Sequence, residues 1–261
     1  MKRWIGSARA FALAATCVMA SGTPVWAAPP VCPNTLRIAL IDFAFPPYMF
    51  GKGDAIADPP GKHVEWILSA LEASNCKPAL RMVRMPVARM RVELADGTLD
   101  MLVAGSDNPE IRDISAMPLK GGSPDPAMRV QAVEYGLYVM KGQNQITWDG
   151  RNLVGPPGFR VGVTPLVAAS SYAHERGWRT EQGQSPTGVF KMLQGGRMHV
   201  AFTSDTAYLS LPEAERAEIQ KLEPTVLVTN YYPVASKAYY EAYPEFVTKF
   251  WRDLVKAARK N

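Results

Sequence analysis

The stretch "LRIALIDFAFPPYMF", residues 36–50, begins as an alternating apolar run and ends in an acid, several aromatics and a double proline. Residues 36–42 read as a core strand. In open α/β sheets the C-terminal ends of the strands face the crevice where ligands bind. Asp42 is therefore a candidate hydrogen-bond acceptor for a ligand and Phe45 a candidate aromatic wall. Pro46 and Pro47 would stiffen the loop and lower the ordering cost of binding. Tyr48 serves equally well as a second wall or as packing.

Moving downstream, Val64, Ile67, Leu68 and Leu71 recur at helical spacing, which predicts a helix over 62–73. "ALRMVRM" (79–85) predicts the next strand. Pro86 then opens a short helix with Val87, Met90 and Leu94 inward, Gly97 stops it, and "LDMLVAG" (99–105) is a further buried strand. A second set follows. "FRVGV" (159–163) reads as a strand, and 165–177 as a helix with Thr164 at its N-cap and Pro165 at N1. Ser185-Pro186 opens another helix, "MHVAF" (198–202) is a strand, and the acid-rich "PEAERAEIQKL" (212–222) reads as a helix. Tyr243, Phe246, Val247, Phe250 and Leu254 form one stripe of a final helix. Alternating strands and helices predict an α/β fold with two mainly parallel sheets. Two long extended segments, near 130–142 and 225–236, join the sets as a double-stranded hinge. The second lobe then spans 135–230, and the first combines 28–134 with 231–261, its last helix packing back on it.

Upstream of the opening strand lies a leader. Lys2, Arg3 and Arg9 precede the short apolar run "FALAATCVMA" (11–20), and "VWA" (25–27) offers a cleavage site. Residues 1–27 thus read as a signal peptide rather than a buried helix, with a core too short to span a membrane. Thr16 before Cys17 does not suit a lipid anchor. The expected location is the periplasm. Without the leader's three charges the formal +5 becomes +2, and no basic run remains to suggest nucleic acid. Cys32 and Cys76 each lie just before a strand of the first βαβ unit, where the two could meet, and an oxidising compartment favours a disulfide over two buried thiols. His63, His174 and His199 are scattered, and no spacing suggests a metal or cofactor.

Five segments carry a resemblance to the family 3 extracellular solute-binding proteins, the periplasmic receptors of polar amino acid ABC transporters. They are "LIDFAFPPYMF", "MPVARMRVELADGTLDML" (85–102), "SDNPEIRDISAMP" (106–118), "RVGV" (160–163) and "KMLQGGRMHVAF" (191–202). The resemblance covers about 35–258. It implies a two-lobed type II periplasmic binding fold that takes a small ligand in an interlobe cleft, without cofactor or membrane anchor, as a monomer that delivers its ligand to a permease. It implies that Arg112 forks onto a ligand carboxylate; from "PEIRD" alone, a surface pair with Glu110 or Asp113 is the default. Gly105 and Asp107 fall where the family holds the ligand's head, Asp107 replacing a Ser/Thr. Arg89 matches the Arg of a Pro-Trp-x-Arg motif, although Val87 replaces the Trp and a solvated helix face explains Arg89 equally well. Arg81, Arg84, Arg89 and Arg91 gather near one edge, as a bias toward acidic ligands or as a docking face. The second lobe departs from the pattern. Pro165 removes an N–H where the family has Gly-Thr/Ser, Thr164 remains as a cap or donor, and Asp205 stands one residue late for the acid that holds a ligand ammonium. These departures point away from a standard α-amino acid. A sensor without a transporter, or a dehydratase-like enzyme using Asp42 or Asp107, are the alternatives.

Overall fold

The computed structural model describes Met1 and residues 32–260; the leader expected over 1–27 lies, Met1 apart, outside the described residues. β1 (Thr35–Ile41), α1 (Lys62–Glu72) and β2 (Ala79–Met85) form the βαβ unit, with β1 and β2 parallel from Thr35↔Ala79 to Ile41↔Met85. α1 turns His63, Val64, Trp66, Ile67 and Ala70 inward. α2 (Val87–Ala95) buries Met90 and Leu94, and β3 (Met101–Ser106) pairs parallel with β1. α3 (Pro109–Ile114) and β4 (Ser115–Ala116) follow. The small pair β5 (Leu119–Lys120) and β6 (Ser123–Pro124) then leads into β7 (Gln131–Met140).

The second set begins with a short pair, β8 (Thr147–Trp148) and β9 (Leu153–Val154). β10 (Val161–Val163), α4 (Val167–Glu175), β11 (Thr180–Gln182), α5 (Pro186–Gln194) and β12 (Val200–Ser204) repeat the strand–helix alternation, with β10 parallel to both β11 and β12. α6 (Asp205–Leu209) and α7 (Glu213–Ala217) lead to β13 (Ile219–Ser236), then α8 (Lys237–Ala242) and α9 (Pro244–Lys260).

One sheet runs in the order β11-β10-β12-β7-β13-β3-β1-β2, with β4 on β13. The two parallel sets are its outer parts. β7 and β13, antiparallel to their neighbours, join them in the middle, so the sets form one continuous ladder. β13 pairs first with β7 and then with β3. Its register breaks between Leu222 and Leu227 and between Tyr232 and Val234. Both breaks contain a proline, Pro224 or Pro233, which has no N–H to give to a ladder.

The helix expected over 212–222 stops at Ala217. Ile219–Leu222 is strand, paired with Met140–Leu137. Its acids and lysine favour a helix locally, but Ile219 is buried against the sheet and the unpaired edge of β7 decides the outcome. α9 behaves as its stripe requires: Phe246, Val247, Phe250, Trp251, Leu254 and Val255 are buried, each contributing about 1.5–3 kcal/mol. α9 packs on α1, where Lys249 Nζ donates to the Ala73 carbonyl at 2.9 Å. Cys32 and Cys76 form the disulfide, with Cα atoms 5.5 Å apart.

Candidate functional site

β1 leaves the sheet at Ile41 and the chain enters a loop that closes on itself. The Asp42 carbonyl accepts from Gly53 N at 2.6 Å, and Phe45 and Met49 exchange backbone hydrogen bonds around the cis Pro46–Pro47 bond. Asp42 is half-buried at the loop's mouth. Phe45 is 3% exposed and its ring lies 5.5 Å from that of Tyr48, so it forms the floor beneath the loop. Tyr48, half-buried, carries the aromatic surface and reaches His63 at 5.4 Å between rings.

Arg84 organises this loop. Its Nε donates to the Ile41 carbonyl at 2.9 Å, Nη1 to Phe50 and Ala55 at 3.0 and 2.8 Å, and Nη2 to Phe43 and Gly51 at 3.4 and 3.0 Å. The residue is 3% exposed. Burial lowers its pKa from the ordinary arginine value, while the charges of Asp42 and Asp54 act in the opposite direction. The basic edge expected from Arg81, Arg84, Arg89 and Arg91 therefore does not exist as a unit. Arg84 points inward, Arg91 pairs with Glu110, and Arg89, its side chain 65% exposed, pairs with Glu93 at 2.6 Å one turn away.

At the end of β3, Gly105 packs against β13: a Cβ there would stand 2.9 and 3.0 Å from the Val234 methyls. Asn108 caps α3, its Oδ1 accepting from Ile111 N at 2.9 Å. Arg112, in the last turn of α3, reaches back to Asp107 rather than to Glu110 or Asp113. Its Nε and Nη2 both donate to Oδ1, at 2.7 and 2.5 Å. Asp107 N donates to the Asn230 carbonyl at 3.2 Å, which ties this corner to β13.

In the second half, Thr164 does not cap α4. The helix starts at Val167 with Leu166 at its N-cap and no side-chain cap. Thr164 instead extends β10: its N–H donates to the Phe202 carbonyl at 3.3 Å, and its own carbonyl accepts from Ser170 Oγ. Thr164 is fully buried, and its hydroxyl has no protein partner. At the end of β12, Ser204 caps α6. Asp205 spends both oxygens inside the protein, Oδ1 accepting from Tyr138 Oη at 2.7 Å and Oδ2 from Lys221 Nζ at 2.6 Å. Burial and the bond to Asp205 push the Tyr138 hydroxyl far above the usual tyrosine range. Lys221 sits opposite Tyr138 across β13 and β7 and passes over Gly136, where a Cβ would lie 2.8 Å from Lys221 Cε.

Beneath the crossing strands a buried polar cluster links α1, β7 and β13. His63 Nε2 meets Gln131 Oε1 at 2.8 Å, and the hydroxyls of Tyr135 and Tyr231 meet at 2.7 Å. Burial lowers the His63 pKa to about 4, so the ring is neutral at pH 7. Asp42, Asp107 with Arg112, Thr164 and Asp205 thus stand at the C-terminal ends of β1, β3, β10 and β12. Each parallel set contributes two strand ends.

Tyr138, Lys221, Gln131 and Tyr231 are absent from the sequence expectations, and Arg84 figures there only as part of a basic edge. Among the described residues, no group of His, Cys, Asp or Glu is placed to hold a metal ion, and no helix is long and apolar enough to cross a membrane.

No protein-family model matches the sequence, and no curated protein does. Solved structures do. Holo ArgBP from T. maritima superposes with a TM-score of 0.63 at 16% identity, over 85% of this chain and 90% of that one. A histidine kinase sensor domain with similarity to periplasmic binding proteins gives 0.65 at 15%, over 87% and 95%. The chain has the fold of the periplasmic binding proteins. The GluR0 ligand-binding core from Nostoc punctiforme, in complex with L-glutamate, gives 0.64 at 12%, over 87% and 94%. At such identities the likeness is one of fold. The sheet order agrees with a type II periplasmic binding architecture, each parallel set being flanked by a strand that crosses from the other.

Proposed function

We propose that this chain is a non-enzymatic periplasmic receptor that captures a small polar, amino-acid-like solute between two lobes and delivers it to the permease of an ABC transporter. Residues 28–134 with 231–261 form the first lobe and 135–230 the second, β7 and β13 being the crossings. Binding shifts an open–closed equilibrium through the ligand's different affinity for the two states. The observation that supports the reading is that four parallel-strand ends, two from each set, bear Asp42, Asp107 with Arg112, Thr164 and Asp205. Ligands of open α/β sheets bind at such ends.

The charge balance narrows the ligand. Arg112 is matched by Asp107 and Asp205 by Lys221, so the walls, Asp42 apart, already hold paired charges. A ligand of low net charge, zwitterionic or neutral, adds no unmatched charge to them. The buried Thr164 hydroxyl is left to bond the ligand or a water that accompanies it. A thermal-shift screen across amino acids, organic acids, amines and aromatic acids tests this. A true ligand at ~100 Kd adds roughly 2.7 kcal/mol of stability, and a screen in which only polyanions or no compounds stabilise the protein overturns the reading.

A second reading, a sensor that passes occupancy to a signalling partner, draws support from the fold shared with a histidine kinase sensor domain and from Pro165 at the second lobe's strand end. Reconstituted permease whose ATP hydrolysis rises with the liganded protein favours the receptor; no response favours the sensor.

A further inference from the structure

A cavity of about 510 Å³ lies on the second half of the molecule, away from the strand-end site. It is bounded by the β9 segment, the loop after it and the end of α4. Arg151, Arg176 and Arg179 line it together with Phe159 and Trp178, and no carboxylate does. The volume is that of a small-ligand pocket.

The arginines differ in how they are held. Arg176 is anchored: Nη1 donates to the Arg151 carbonyl at 2.8 Å, and its guanidinium lies 4.9 Å from the Tyr172 ring centre. Among the described residues, the guanidinium groups of Arg151 and Arg179 make no ion pair and no hydrogen bond to protein. The nearest acid in sequence, Asp149, is turned into its own loop, where it accepts from Arg151 N, Asn152 N and Asn152 Nδ2. Three cations around one concavity with no anion among them concentrate positive potential there. Folding alone does not call for this arrangement, because among the described residues the guanidinium groups of two of the three bind nothing in the protein.

The apolar side of the cavity is rigid. Trp178 is held edge-on by Trp148, Tyr172 and Phe202, at 6.1, 5.8 and 5.4 Å between ring centres. Phe159 sits where Gly155 has no side chain; a Cβ there would stand 2.9 Å from its ring. Planar guanidinium groups match the oxygens of a carboxylate or phosphate in pairs, and fixed aromatic groups beside them suit a flat ring. We propose that this cavity is an accessory binding site for a small ring-bearing oxyanion, with Arg151 and Arg179 gripping the charge and Trp178 and Phe159 the ring. The site stands independently of the ligand taken at the strand ends.

Phenyl phosphate, benzoate, inorganic phosphate and phenol are titrated into the full protein by calorimetry, with tryptophan fluorescence as a second readout. Either phenyl phosphate or benzoate saturates one site, and the one that binds identifies phosphate or carboxylate as the natural group. R151Q/R179Q weakens that binding by about tenfold or more with an unchanged melting temperature, as expected for exposed side chains, and R112A leaves it unchanged. Failure of both ring-bearing anions to bind, or equal binding by R151Q/R179Q, overturns the proposal. Inorganic phosphate or phenol binding as tightly as phenyl phosphate overturns the joint use of charge and ring. Loss of binding in R112A assigns the signal to the strand-end site and also overturns it.

Discussion

Arg112 closes back on Asp107, two of its nitrogens sharing one carboxylate oxygen at 2.7 and 2.5 Å. The pair is partly exposed, with side-chain exposures of 42% and 28%, so its worth to stability is at most about 1 kcal/mol. Under the proposed function its consequence lies in recognition: a ligand carboxylate would share Arg112 with an internal one. Arg112→Ala is expected to abolish binding of the ligand found by screening while the protein stays folded; unchanged affinity in calorimetry rejects the assignment. Asp107→Asn tells the ligand's charge. Tighter binding marks a carboxylate meeting Arg112, and weaker binding marks an amine meeting Asp107.

Lys221→Met leaves Asp205 with Tyr138 as its remaining side-chain partner in a site where both members of the pair are about three-quarters buried. A loss of about 1–2 kcal/mol in urea unfolding is expected. No loss would mean that solvent already neutralises Asp205.

His63 sets a pH dependence. Its folded pKa of about 4 lies below the ordinary 6.5, so the folded state resists protonation. The stability contributed by the neutral ring is complete above pH 6.5 and is lost as pH falls toward 4. Between pH 7 and 4.5 the loss is about 2–3 kcal/mol. Denaturant midpoints of wild type and His63→Gln at both pH values isolate it; equal pH dependence in the two proteins contradicts it.

Breaking the Cys32–Cys76 bridge, which spans 44 positions, releases an unfolded-chain constraint of about 4 kcal/mol. Cys32→Ser/Cys76→Ser should therefore melt well below wild type. Native protein should show neither thiol to an alkylating reagent, and labelling of Cys76 under native conditions would count against the bridge.

Arg84→Lys keeps a charge but supplies three donors where five bonds to carbonyls exist. A destabilisation of about 2–3 kcal/mol is expected. Faster amide exchange confined to residues 43–60 would localise it; uniform exchange across the sheet would refute a local role.

Much of this was legible in the letters. "ALRMVRM" reads as a strand because it is a short, mostly apolar run that follows a helix, and it is one over the same residues. Asp42 is visible as a residue that follows a strand, and Asp107 and Arg112 through the resemblance to a family. Their partners are not visible, because Arg112 had three acids within reach and the Asn108-capped turn of α3 selects among them. Tyr138 and Lys221 were hidden by a wrong local reading: a helix over 212–222 removes the cross-strand register that sets them face to face. Arg84 carried an unused signal. It shares the strand parity of Leu80 and Met82, the side of β2 that turns inward, so counting by two separates it from Arg81. The failure of Thr164 to cap follows from its pairing with β12, a tertiary fact that no cap motif contains.

Arg84 has one more consequence. It grips the loop after β1 through peptide carbonyls and not through side chains. Every amino acid has such a carbonyl. Relatives of this protein that keep the arginine, the left-handed Gly51 and Gly53 and the buried Phe43, Phe45 and Met49 are therefore free to rewrite the remaining letters up to Ala55 while inheriting the same loop. Such a lineage would diverge quickly in spelling and slowly in shape, and its ligand preference would be free to change without the loop being rebuilt.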